Sequence, residues 1–97
     1  MDMTDALSEK TQQYHQMLVD ALEHAEVATR PHSPMEDIAE THLEMAQSYL
    51  ADGRHFQDNG DLPNALAAFA YGHGWLDAAV RTGFVTVPEE VSSSFPI

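Results

Sequence analysis

The 97-residue chain contains no cysteine. Disulfides, thiolate metal sites and cysteine nucleophiles are therefore excluded. Cations are almost as scarce. Lys10, Arg30, Arg54 and Arg81 stand against 16 Asp and Glu, for a formal net charge of −12. Binding nucleic acid through its phosphates requires clustered Lys and Arg, and an anionic membrane surface makes the same demand. Neither partner is expected, whereas a basic protein partner stays open. Long apolar runs are also missing. The longest, around 65–71, falls far short of the roughly 20 residues of a membrane-spanning helix. The start, Met1-Asp2-Met3-Thr4-Asp5, is acidic where a signal peptide has a basic start and an apolar run. The expectation is a soluble, cytoplasmic chain.

What is present suits one folded domain. Hydrophobic residues make up 43% of the chain, too many for an acidic disordered tail. The length leaves no room for a second core. The acidity has a cost, because self-repulsion opposes compaction unless salt screens it. A halophilic source supplies that salt. The competing reading is an ordinary acidic protein with a basic partner.

Two proline-containing breaks, at 29–34 and 58–63, divide three long segments. The first, about 4–29, carries Leu7, Thr11, Tyr14, Leu18, Ala21, Ala25 and Ala28 in alternating steps of four and three. That is a helix stripe facing a partner, with Thr4 as the expected N-cap. The second, about 34–59, opens on Ser33-Pro34-Met35-Glu36, a capping box with proline at the first helical position. Its stripe runs Met35, Ile38, His42, Met45, Tyr49 and Phe56, with Asp52 on the same line and Leu43, Ala46, Leu50 and Gly53 beside it. Gly60 is placed to supply a left-handed cap. The third, about 62–82, starts from Asp61 as N-cap and carries Leu62, Leu66, Phe69, His73, Leu76 and Val80, with Ala65, Ala70 and Ala79 beside them. Gly83 ends it, with Phe84 as the accompanying apolar contact. Gly72 and Gly74 each cost a helix about 1 kcal/mol relative to alanine; close approach of another chain segment is a sensible return. Short connections make neighbouring helices antiparallel. The expected fold is all-α, an up-down-up three-helix bundle over 1–83, followed by a short irregular C-terminal tail, 84–97. No strand alternation stands out.

The stretch Tyr49-Leu50-Ala51-Asp52-Gly53-Arg54-His55-Phe56, then Gly60-Asp61, then Asn64-Ala65-Leu66-Ala67-Ala68-Phe69-Ala70-Tyr71-Gly72-His73-Gly74-Trp75-Leu76-Asp77-Ala78, resembles the archaeal family called domain of unknown function 357. The resemblance implies a small three-helix bundle from an archaeal source and supplies no catalytic residues. The spacing of Tyr49, Gly53, Gly60-Asp61, Ala65 and Phe69 is also similar to one tetratricopeptide hairpin. A single copy cannot build a solenoid, so the likeness reads as small residues placed where two helices cross.

Two sets of residues are candidates for function. Tyr71, Gly72, Gly74, Trp75 and Phe84 form the first. The helical spacing of Trp75, Phe56, Phe69, Tyr49 and Tyr71 reads first as core packing. The alternative is that Tyr71 or Trp75 points outward beside glycines, since Phe69 and His73 already occupy the inner stripe, as in a groove for a partner helix. The second set is a small-ligand or metal site from His73 and Asp77, four apart on one helix face, with Tyr49, Asp52 and His55 of the second helix; the competing reading is an inward His73 hydrogen-bonded to Asp77 or to a neighbouring helix. Such sets suit imidazole–carboxylate chemistry but hold few ligands for a zinc or carboxylate-bridged site. His42 reads as a core histidine, and His15, His24 and His32 as surface residues. Ser92, Ser93 and Ser94 have no nucleophile context, and no phosphate loop is present. A non-catalytic interaction module, acting on a protein partner or as a homodimer, ranks first. The ligand or metal site ranks second. An enzyme ranks last, because so short a chain has little room for a closed pocket beside its core. No catalytic residue, cofactor or resident metal is expected.

Overall fold

The structure, a computed structural model, describes residues 2–89. The element order is α1 (Met3–His24), β1 (Glu26–Val27), α2 (Pro34–Asp58), α3 (Leu62–Arg81) and β2 (Val85–Thr86). Each helix starts where a side chain takes up a free amide. Ser33 Oγ accepts from the Glu36 amide at 3.2 Å and Asp61 Oδ1 from that of Asn64 at 3.3 Å. The Glu36 carboxylate answers by accepting from the amide of His32, one residue before the expected one. α2 and α3 end alike, each one residue before its expected end. Gly60 (φ 76°) and Gly83 (φ 82°) adopt the left-handed conformation. Asp61 and Phe84 donate their amides back to the carbonyls of Phe56 and Ala79. These are Schellman caps, which side chains with a Cβ fit poorly.

The three helices run up, down and up. Gln57 Nε2 donates to Gln12 Oε1 (3.2 Å) and Arg54 Nε donates to His15 Nε2 (3.1 Å), which sets α1 antiparallel to α2. Gln12 thus stands level with the last turn of α2, and the first turns of α1 project past the Gly60 turn. The long axis of 49 Å exceeds the ~37 Å of the 25-residue α2 at 1.5 Å per residue for this reason.

The core is built largely from alanine. Ala21, Ala39, Ala46, Ala65 and Ala79 are fully buried around Leu18, Phe69 and Leu76. Small residues let helix axes approach closely. On α2 the innermost line is Ala39, Ala46 and Gly53, and a Cβ on Gly53 would run into the Phe69 ring. The expected line through Met35, Ile38 and Asp52 is therefore a flank. Met35 is 51% and Ile38 43% exposed, because the larger residues are excluded from the point of closest approach.

Two expectations fail at the chain's turns. α1 does not reach residue 29; it stops at His24, and its N-cap is Asp2 rather than Thr4. Ala25 turns extended (φ −74°, ψ 134°), and Glu26–Val27 pair antiparallel with Val85–Thr86. The Ala28 amide donates to the Phe84 carbonyl at 2.9 Å. The start of the expected tail is thus a strand, with Val85 buried in the core. Val91, Ser92, Ser93, Ser94, Phe95 and Ile97 lie outside the described residues.

Candidate functional site

α1 covers one side of the α2–α3 seam. Leu18 packs on Gly72, where a Cβ would meet Leu18 Cδ2 at 2.6 Å, and the His73 Nε2–H donates to the Tyr14 carbonyl at 3.2 Å. The other side of the seam is covered by nothing among the described residues. There a shallow groove of about 310 Å³ is lined by His42, Ala70, Tyr71, Gly74, Trp75 and Ala78. His42 stands edge-on to Trp75 with ring centroids 5.2 Å apart and donates through Nδ1 to the Ile38 carbonyl at 2.8 Å. Tyr71, 63% exposed, leans on Tyr49 at 5.6 Å. A second depression of about 190 Å³, lined by Asp37, Ile38, Thr41 and His42, continues the groove along α2.

The first candidate set divides. Tyr71, Gly74 and Trp75 come together in the groove. Gly72 faces inward and serves the α1 contact, so it is no surface residue. Phe84 lines a different cavity, of about 390 Å³, with Thr29, Arg30, Ser33, Met35, Thr82 and Gly83. Gly74 is distinct from Gly53 and Gly72. A Cβ there would meet nothing within 4 Å.

The second set does not assemble. Asp77 holds Arg81 in an ion pair at 2.8 Å, and His73 reaches across to α1 instead. Asp52 and His55 are exposed on α2, where His55 contacts Phe56 and Asn59, and Tyr49 is engaged by Tyr71. Among the described residues no three His, Asp or Glu side chains are grouped to hold a metal ion. Burial lowers the His73 pKa from its ordinary 6.5, against the opposing pull of the Tyr14 carbonyl and the Asp77 carboxylate.

Two histidines depart from their expected places. His42, read as a core histidine, is half-buried and lines the open groove. His15, read as a surface residue, packs on Phe69 with centroids 5.1 Å apart and accepts from Arg54. Burial and then the Arg54 charge lower its pKa. The only local signal was its position next to Tyr14, on the edge of the α1 stripe.

No helix among the described residues is long and apolar enough to cross a membrane. The family model described as "Protein of unknown function (DUF357)" matches residues 13–85, more than half of the chain. The crystal structure of protein AF1782 from Archaeoglobus fulgidus, assigned to the same family, matches with a TM-score of 0.73. That match covers 90% of this chain and 100% of the other at 17% identity, a likeness of fold. No curated protein matches the chain.

Proposed function

The chain belongs to the DUF357 family of proteins of unknown function, and from that premise we propose that it works as a non-catalytic interaction module whose α2–α3 groove receives one helix of another protein. The observation that carries this reading is the Tyr71–Gly74–Trp75 surface, in which Tyr71 and Gly74 are exposed and Trp75 is half-buried. Large aromatics beside small residues make the kind of anchor site on which helix-in-groove recognition depends. The stretch from Ile38 to Tyr49 is about 17 Å long at 1.5 Å per residue, room for three turns of a bound helix. A glycine within α3 costs about 1 kcal/mol, and at Gly74 the bundle's own packing does not use the space.

Trp75 is the sole tryptophan, so its fluorescence reports directly on the groove. A displayed library of helical peptides, apolar at i, i+4, i+7 and i+11 and random elsewhere, should yield helices that shift Trp75 emission. Gly74→Leu, which fills the groove without meeting another part of the bundle at its Cβ, should abolish their binding without lowering the melting temperature. Enrichment of no groove-binding helix, or binders indifferent to Gly74→Leu, would overturn the proposal.

A further inference from the structure

Resting on that reading, we infer that the helix taken up by the groove is cationic along one flank, with Lys or Arg beside its apolar stripe, and is not a second copy of this chain. The groove has two unlike rims. The α3 rim is formed by Ala70, Gly74 and Ala78, all exposed, and carries no net charge, because the Asp77 and Arg81 that follow on the same side pair with each other. The α2 rim is acidic. Asp37 lines the groove's continuation, Glu44 stands one turn from Thr41, and Asp52 stands one turn from Tyr49. All three are exposed, and spacings of seven and eight residues keep them on one side of the helix.

No Lys or Arg lines either depression. None of the chain's four cations stands beside the acidic rim. Lys10 lies over Tyr14 on α1, Arg54 is turned to His15, Arg81 is held by Asp77, and Arg30 borders the cavity at Phe84. A second copy would bring another −12 and another acidic rim against the first, a like-charge contact that discriminates against self-association. A helix with a basic flank meets the acidic rim and lays its apolar stripe over Tyr71 and Trp75. The net charge also steers its approach from a distance. The asymmetry fixes orientation, since the carboxylate on the α3 side is already paired with Arg81 and only the α2 edge offers acids to a bound helix.

The test uses the selected helices and the full chain. The winning peptides should be enriched in Lys and Arg on one flank. Changing those residues to Glu should weaken binding by about tenfold or more at low salt. Affinity of the basic peptide should fall as KCl rises, as expected for screened contacts. The triple variant Asp37→Lys, Glu44→Lys, Asp52→Lys should reverse the preference toward the acidic peptide, with its folding checked by circular dichroism. Winners that are neutral or acidic, or no reversal in a folded triple variant, would overturn the basic-helix inference and leave the interaction module standing. A dimer in sedimentation equilibrium that Gly74→Leu dissociates would also overturn it, by naming a second copy as occupant. If no helix binds at all, the module itself fails.

Discussion

The Nε2–H of His73, on α3, donates to the carbonyl oxygen of Tyr14, on α1, at 3.2 Å, and the two rings meet edge to face at 5.9 Å. A histidine in the sequence register of a ligand is thus a strut between the helices. It is only 2% exposed, and its neutral form is the one that the bundle holds.

Acid should therefore loosen the bundle. His73 and His15 both have folded-state pKa values below the ordinary 6.5. The unfolded chain binds protons first as the pH falls, so protonation favours unfolding. Their contribution is complete above about pH 6.5 and is lost as the pH drops through the folded-state values. Urea midpoints should decline between pH 8 and pH 5.5. His15→Gln with His73→Gln should flatten that decline; an unchanged slope sinks the assignment.

Gly53 and Gly74 should respond oppositely to alanine. Gly53→Ala drives a methyl into the buried Phe69 ring, an overpacking that costs about 1–3 kcal/mol. Gly74→Ala meets nothing and gains about 1 kcal/mol of helix propensity. Thermal melts of the two variants should move to opposite sides of the wild type.

Removing the α2 cap should be felt locally and globally. Ser33→Ala deprives the Glu36 amide of its acceptor and should cost about 1 kcal/mol. Amide exchange at Glu36 should accelerate more than exchange at mid-helix positions.

Added salt should stabilise the fold. With a net charge of −12, self-repulsion is screened as KCl rises from 0.05 to 1 M. The melting temperature should climb over that range. A flat or falling curve would show that the carboxylates are too far apart to repel.

The legible parts of the fold are the local ones. Ser33-Pro34, Gly60-Asp61 and Gly83 stop or start helices through contacts within a few residues, and α2 and α3 end within one residue of their expected bounds. The end of α1 was not legible. Ala25 leaves the helix because Val27 finds its partner at Val85, a pairing of two-residue strands too short to leave a pattern. The α2 stripe was read off centre because hydrophobic size was followed, whereas the crossing with α3 selects Ala39, Ala46 and Gly53. The spacing left Tyr71 open between core packing and an outward turn, and the fold turns it outward. The partial burial of His15 was not legible, since it depends on Phe69 and Arg54, which lie on other helices.

The order in which the parts assemble follows from how far apart in the chain their contacts lie. The α2–α3 hairpin joins neighbours across a three-residue turn, while α1 is tied to it by pairs separated by 39, 45 and 59 residues. Closing long loops is entropically dearer and slower. The hairpin forms early and α1 docks late. The groove is lined by hairpin residues alone, so it belongs to the early-forming unit and outlasts the release of α1.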